Sequence, residues 1–468
     1  MEIKDRAKEL IDRAGVAQSV IEFYTQEQMR YIARCHGWLC YSRAEVWSNK
    51  VFEDTKKGSV ERKIARLKDR SMAMLHNINE MKTAGVIEDN QEKAYVKIAK
   101  PLGVIVALCP MTIPECVVLQ KTMFSLMGRN AIIMTPHPRA SRSTNFIANE
   151  VRQLFRKLNL PEDLLICVEN GSIDLTRELM RQADYVVATG GAPMVKAAYS
   201  SGTPTFGVGA GNSVAVVEET ADIKDVAERM KMAQLNDLAA GCSTENSIAI
   251  QETIYEETKK ALENEGGYFL TPQEKELFIG KFWVNGNLNL EIITNPAIEI
   301  ARYCGFSVPD GTNFLLIEET GYGKDFIASG EKLSPVMTVY KFKDIDDAIN
   351  LTNGIQAYSG AGHSCGIHSK REEIIEKFAL RTKTARLAVN LDTGRHNAGG
   401  WNVSMRDTCT VGCGSWGGSV SSDNCTFEHY INTTTVYREL KEKKIPDLVR
   451  SFTQEVMDNK ELLEGFPD

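Results

Sequence analysis

The sequence predicts an α/β fold in which two domains are each organised around a parallel sheet. Three observations carry this. From Pro101 to Ala188, short apolar runs alternate with helical periods, the strand–helix–strand order that parallel sheets require. A glycine pair, Gly190-Gly191, joins a strand to a helix, where backbone amides can meet a phosphate. A cysteine set among small residues, Ala239-Ala240-Gly241-Cys242-Ser243, opens a second α/β stretch of about 180 residues. At 468 residues the chain is too long for one core, so two or three domains are expected.

Residues 2–14 place Ile3, Ala7, Leu10, Ile11 and Ala14 on one helical face, which can pack on its own domain or dock a partner. Charged helical patterns continue to about Met81. Glu92–Lys100 then alternates as an extended segment, with Ala94, Val96 and Ile98 on one side. Strands Leu102–Leu108, Asn130–Met134, Leu164–Val168 and Tyr185–Ala188 follow, separated by helices Glu115–Met127, Ser143–Leu158 and Leu175–Gln182. The last strand runs through Thr189-Gly190-Gly191 into helix Met194–Ser200. Gly207-Val208-Gly209-Ala210-Gly211-Asn212 has the look of a dinucleotide fingerprint, but it precedes a strand, Ser213–Val217. It reads as a turn whose backbone passes close to something else.

A helix over 222–237 leads to Cys242, followed by strand Ile248–Ile250 and helices Ile254–Asn264 and Pro272–Ile279. Strands Phe314–Glu318, Val336–Lys341, Ala361–Ile367 and Arg386–Asn390 and helix Ile345–Thr352 extend this second part. The β-branched segment Thr426–Tyr437 and a charged C-terminal helix close the series.

Net charge is −7 and the pI near 5.7, which implies no nucleic-acid or anionic-membrane partner. Eleven cysteines lack any framework spacing and no signal-peptide pattern opens the chain, so reduced thiols in the cytoplasm are expected. No apolar run approaches the roughly 20 residues that cross a bilayer.

Small neighbours give a ligand access to Cys242, and the amides that follow can face an oxyanion. Those are the needs of a thiol nucleophile, although a small buried hydrophobe has the same signature. His363-Ser364-Cys365-Gly366-Ile367-His368 and Cys409-x-x-x-Cys413 lack the paired spacing of a zinc site. Strand alternation would also set His363 and His368 on opposite faces, so no metal is expected.

Several longer phrases, in order, are TPHPRA (135–140), ATGGAPMVKAAYSSG (188–202), FGVGAGN (206–212), ETADI (219–223), EKLSP (331–335) and GCGSWGG (412–418). Together they resemble the aldehyde dehydrogenase superfamily over essentially the whole chain, and its coenzyme A-acylating branch most of all. That branch includes acylating succinate-semialdehyde dehydrogenase and the aldehyde dehydrogenase half of bifunctional aldehyde/alcohol dehydrogenase. Ile3–Tyr24 and Gly362–His368 (GHSCGIH) are most similar to acylating sulfoacetaldehyde dehydrogenases.

The resemblance implies two Rossmann-type parallel-sheet domains plus an oligomerisation flap. The cofactor-binding domain would span 1–237 with a return of 419–468, and the catalytic domain 238–418. Segments 92–100 and 426–437 would form the flap, giving a homodimer or higher homo-oligomer. Cys242 would attack an aldehyde, its own amide and Thr112 would hold the oxyanion, and hydride would pass to NAD(P). Hydrolytic relatives usually carry Asn at the place of Thr112. They carry a glutamate base where this chain has Val208, so coenzyme A rather than water should take the acyl group from Cys242. His363 would stand near that thioester or the coenzyme A thiol.

For the dinucleotide, the resemblance implies Thr135, His137, Arg139, Thr189, Gly190, Gly191 and Gly209, with Glu331 on the nicotinamide ribose. Pro138 stands where NAD-using relatives often carry an acid, so either dinucleotide fits, and Arg139 tilts the reading toward NADP. Arg395, His396 and Arg406 would suit an anionic aldehyde, unless they merely solvate a loop. The expected reaction is aldehyde, coenzyme A and NAD(P)⁺ to acyl-coenzyme A and NAD(P)H, reversibly. Sulfoacetaldehyde is the first substrate expected, then succinate semialdehyde, then acetaldehyde. The rival readings are a hydrolytic dehydrogenase and an inactive scaffold or shell-associated binder.

Overall fold

A computed structural model describes residues 2–76, 78–440 and 447–464. The first helix, Ile3–Ile21, runs a further two turns beyond the expected 2–14. Ala7, Leu10, Ala14, Ala17 and Ile21 form its buried stripe, while Ile3 is left exposed. Helices Gln26–Ser42, Ala44–Thr55 and Val60–His76 follow. The second starts where the Thr25 hydroxyl and the Gln28 side chain cap each other's backbone amides.

Three sheets carry the fold. Strands β1 (Gly85–Asn90) and β2 (Tyr95–Pro101) form an antiparallel hairpin; only the second was expected, because β1 is broken by charge and by a register shift at Val86/Glu88. Strands β3 (Val104–Cys109), β4 (Ala131–Pro136), β5 (Leu165–Cys167), β6 (Tyr185–Thr189) and β7 (Thr205–Val208) make a parallel sheet in the order β5-β4-β3-β6-β7. Its middle strands are apolar throughout because helices cover both faces. The chain steps outward from β3 to β4 to β5 on one side and then returns to β6 on the other side of β3, so the switch point lies between β3 and β6. There the buried Lys121 ammonium donates to the carbonyls of Leu108 (2.7 Å) and Val187 (3.2 Å) and ties the two strands together.

Gly207 and Val208, expected in a turn, end β7, and the turn proper is Gly209–Asn212. Strand β8 (Ser213–Val217) already belongs to the second sheet. The crossover between sheets therefore falls at Gly209–Asn212, upstream of the boundary expected at 237. Strands β9 (Glu245–Gln251) and β10 (Gly267–Phe269), a small hairpin of β11 (Trp283–Val284) and β12 (Asn287–Leu288), and strands β13 (Phe314–Glu318) and β14 (Val336–Phe342) follow. With β15 (Cys365–His368) and β16 (Leu387–Val389) the second sheet runs β10-β13-β14-β9-β8-β15-β16, all parallel. Residues Ala361–Ser364 are not strand as expected: Gly360 and Gly362 take left-handed φ of 81° and 74°. His363 and His368 are consequently not two positions of one strand.

Thr426–Tyr437 divides into a 3₁₀ turn, Phe427–Tyr430, and strand β17 (Ile431–Tyr437). β17 pairs antiparallel with β2, from Ile431 opposite Pro101 to Tyr437 opposite Tyr95, giving a sheet of order β1-β2-β17. The expected C-terminal helix is two short helices, Leu448–Phe452 and Gln454–Asp458, then a 3₁₀ turn. Residues 441–446 of that expectation lie outside the described residues. Among the described residues no helix is long and apolar enough to cross a membrane.

Candidate active site

The two sheets face each other with opposite ends. The turns after β3 and β6 bring Thr112 and Thr189–Gly191 to the carboxyl edge of the first sheet. The second sheet presents its amino edge. Along the neighbouring strands β14-β9-β8-β15-β16, the residues just before each strand include Glu331, Cys242, Gly211, His363 and Arg386. Residues from 211 to 386 thus meet on one rim because five strands happen to be neighbours.

Cys242 follows a strained approach. Asp237, Leu238 and Ala239 all have left-handed φ, between 54° and 56°, although none is glycine. Each such residue costs about 1–2 kcal/mol. The turn is held from outside: Asp237 Oδ2 lies 3.0 Å from Lys63 Nζ and 2.8 Å from Arg66 Nη1, and its Oδ1 accepts from Ser59 N at 2.8 Å. Lys63 also donates to the Thr112 carbonyl at 2.9 Å, so one buried ammonium fixes both the approach to the cysteine and the start of helix Pro114–Met127. Strain near a nucleophile, supported by a buried ion network, is an arrangement found where geometry matters for chemistry.

The Cys242 sulfur lies 3.2 Å from His363 Nε2, and His363 Nδ1 is 2.9 Å from Ser364 Oγ. His363 is fully buried and Cys242 is half-buried. Burial pushes the thiol up to about 12, with the Glu331 carboxylate adding to the rise, and burial with the nearby Arg386 takes the imidazole down to about 3. The resting pair is therefore neutral, with thiol donating to imidazole. Gly211 packs against the same residue: a methyl there would stand 1.8 Å from the Cys242 carbonyl oxygen. Its N–H donates to Glu331 Oε1 at 2.8 Å, and burial lifts that carboxyl to about 8. Val208 is buried at the end of β7.

The remaining expected residues fall into two groups. Gly190 and Gly209 have open space where a side chain would be, and Gly191 precedes helix Ala192–Tyr199, so their amides can be approached. Thr189 Oγ1 shares a hydrogen with Thr410 Oγ1 at 2.9 Å. Thr135, buried, donates its hydroxyl to the Ala107 carbonyl and joins β3 to β4. His137 accepts from the Arg139 amide, and Arg139 pairs with Glu291 at 2.5 Å. Thr112 makes no side-chain hydrogen bond among the described residues.

Arg395 and His396 do not stand free. Both bind the buried Asp392 carboxylate, which caps their own short helix, Thr393–His396. That helix is nevertheless next to Cys242: Thr393 Oγ1 donates to Ser243 O at 2.6 Å and Asn397 Nδ2 to Ser243 Oγ at 3.1 Å. Arg406 is exposed and paired with Glu428. The sequence reasoning missed Arg386, a buried guanidinium that donates to the carbonyls of His363 (2.7 Å) and Gly412. A charged residue opening the apolar run Leu387–Val389 was the available signal.

A family model described as "Aldehyde dehydrogenase family" matches residues 44–267 and 323–413. The chain is 38% identical over 445 residues to a sulfoacetaldehyde dehydrogenase of Acholeplasma sp., covering 93% of this chain and 92% of that one. It is 35% identical over 440 residues to the succinate-semialdehyde dehydrogenase (acetylating) of Clostridium kluyveri, covering 94% and 97%. The solved acetylating aldehyde dehydrogenase from Geobacillus thermoglucosidasius superposes with a TM-score of 0.91 at 30% identity, over 95% of this chain and 98% of that one.

Proposed function

The chain belongs to the aldehyde dehydrogenase family, and we propose that it oxidises a small anionic aldehyde to its coenzyme A thioester. One observation carries the reading. Cys242 meets a neutral imidazole at 3.2 Å, and the place at which the resemblance puts a water-activating glutamate is taken by Val208, buried at the end of β7. Open glycines at 190 and 209 and a helix start at Gly191, whose amides can face phosphate, support a dinucleotide in the cleft, with Glu331, which accepts from the Gly211 amide, taking the ribose.

In this mechanism the Cys242 sulfur adds to the aldehyde carbon while His363 Nε2, the acceptor within reach, takes the thiol proton. The Cys242 amide and the free Thr112 hydroxyl hold the oxyanion. Bound NAD(P)⁺ supplies the hydride acceptor. The oxyanion then collapses to a Cys242 thioester. Once His363 has passed that first proton to solvent, coenzyme A attacks the thioester as its own thiol proton goes to His363, and Cys242 leaves as the thiolate, which takes this proton back from His363. With Val208 in place no carboxylate of that strand activates water, so thiolysis outruns hydrolysis.

Sulfoacetaldehyde leads the substrate order, supported by the relative at 38% identity. Arg395 and His396, on a helix bonded to Ser243, bring positive charge toward the cysteine even though Asp392 balances it. The paired β2 and β17 supply the flap through which two copies associate, and 1–208 with the β17 return forms the cofactor-binding part. The test is nicotinamide reduction by the purified chain, with and without coenzyme A, on sulfoacetaldehyde, succinate semialdehyde and acetaldehyde. Strict dependence on coenzyme A, abolished in Cys242→Ala, is expected, with sulfoacetaldehyde fastest. Equal turnover without coenzyme A would overturn the role given to Val208.

A further inference from the structure

The stretch just before β15 sets a buried hydroxyl against the imidazole that faces Cys242. Adjacent side chains of a strand point to opposite faces, so a histidine and the serine after it do not ordinarily meet. Here the left-handed Gly360 and Gly362 bend the chain, and His363 Nδ1 lies 2.9 Å from Ser364 Oγ. The bend is pinned along its length. His363 N donates to Gly360 O at 3.1 Å, Ala385 N to Gly362 O at 2.9 Å and Cys365 N to Arg386 O at 3.0 Å. Arg386 Nη2 donates to His363 O at 2.7 Å while its Nη1 is anchored on Ser422 O at 2.9 Å, and Gln356 Nε2 donates to Ser364 O at 2.6 Å.

Ring and hydroxyl are both buried. Among the described residues the imidazole is the one hydrogen-bond partner of Ser364 Oγ, and no other group reaches His363 Nδ1. The charged and titratable groups packed around the pair lie elsewhere: Arg386 on the His363 carbonyl, Glu331 on the Gly211 amide, and Cys413, whose carbonyl packs against Gly362. A neutral imidazole carries one ring hydrogen, on either nitrogen. With that hydrogen on Nδ1, Nε2 is an acceptor for the Cys242 thiol at 3.2 Å. With it on Nε2, the ring cannot take the thiol proton. The partner at Nδ1 decides between the two.

On the role given to His363 above, we propose that Ser364 is a positioning residue: its hydroxyl oxygen accepts from Nδ1–H and holds His363 in the tautomer whose Nε2 receives a proton, first from Cys242 and then from coenzyme A. A hydroxyl does this without charge. A carboxylate at the same place would stabilise the imidazolium and keep the proton on the ring. Beside a hydroxyl, and with Arg386 near, the ring gives its proton up readily. That suits a base that is loaded and cleared twice in each turnover.

The test compares the full chain with Ser364→Ala, Ser364→Thr and His363→Gln by two readouts. One is nitrogen NMR of the His363 ring, its signals identified by their loss in His363→Gln. The other is coenzyme A-dependent nicotinamide reduction on the fastest of the three aldehydes above. The wild-type ring should carry its hydrogen on Nδ1. Ser364→Ala should move hydrogen toward Nε2 and lower kcat about tenfold, the worth of one buried neutral hydrogen bond, with KM for aldehyde and coenzyme A unchanged. Ser364→Thr keeps the hydroxyl and should restore both tautomer and rate. A wild-type ring protonated on Nε2, a tautomer that Ser364→Ala leaves unmoved, or a Ser364→Thr protein that behaves as Ser364→Ala overturns the role of Ser364. If His363→Gln has meanwhile lost turnover, the reading of His363 survives that result. Turnover retained in His363→Gln overturns both.

Discussion

Gly211→Ala isolates the close approach that fixes the position of Cys242. The added methyl would sit 1.8 Å from the Cys242 carbonyl oxygen, 2.7 Å from its carbonyl carbon and 3.1 Å from its Cβ. To restore an ordinary contact of about 3.4 Å, the two backbones must part by roughly 1.6 Å. Either partner can move, and both movements are harmful. Shifting the Gly211 turn stretches its 2.8 Å bond to Glu331, and shifting Cys242 breaks the 3.2 Å contact with His363. A misplacement of about 1 Å at a reacting group can cost on the order of 100-fold in rate. The variant should therefore lose at least about 100-fold in kcat/KM, or some 2.7 kcal/mol of transition-state stabilisation. Overpacking of this kind costs about 1–3 kcal/mol of stability, so the protein still folds. Coenzyme A-dependent nicotinamide reduction measures the first effect and urea unfolding the second. Gly209→Ala is the companion, since a methyl there meets nothing within 4 Å and should leave stability unchanged. A Gly211→Ala enzyme within about threefold of wild type would refute the reasoning, because the backbone contact would then be irrelevant to the cysteine.

Three further outcomes follow from the same rim. Alkylation of Cys242 by iodoacetamide in the free protein should be slow at neutrality and rise about tenfold per pH unit past pH 10, since burial lifts the thiol to about 12; a plateau near pH 7 would show a preformed thiolate–imidazolium pair. Burial and Asp392 lift the Glu245 carboxyl to about 7, so the folded state keeps a proton that the unfolded chain has lost. Stability should fall by up to about 3 kcal/mol as pH rises from 4.5 to 7, and Glu245→Gln should flatten that slope in denaturant titrations. Asp237→Asn leaves Lys63 and Arg66 facing a neutral side chain and should cost about 3–5 kcal/mol in urea unfolding, with activity lost below the midpoint as the strained turn relaxes.

Much of the fold was legible because many of its strands are written as short apolar runs between glycine and proline punctuation. Ser213–Val217 and Phe314–Glu318 match residue for residue. Three-residue β10 and two-residue β11 and β12 were too short to show a period, and helix Ala297–Cys304 lay hidden among them. Cys242, Glu331 and His363 could be named singly, but not brought together, since their meeting depends on strand order, which no local pattern encodes. The left-handed stretch at Asp237–Ala239 was equally invisible: Leu238 and Ala239 are not turn residues, and what holds them is a lysine and an arginine more than 170 positions earlier. Arg395 and His396 show the converse: the buried Asp392 engages both, and no local pattern tells a paired cation from an open one.

The pairing of β17 with β2 bears on biosynthesis. Pro101 leaves the ribosome some 330 residues before Ile431, its neighbour in the finished sheet. At about 5–20 residues per second, the hairpin of β1 and β2 waits roughly 15 to 70 s with one edge unfilled. Both parallel sheets can be complete by then, because their last strands are β7 and β16. The nascent protein therefore passes through a stage with the Cys242 rim assembled and an open strand edge still on display. A chain stopped before residue 431 would remain in that state, able to join edges with its like, so translation speed and holding chaperones should govern the yield of active enzyme more than they govern its final stability.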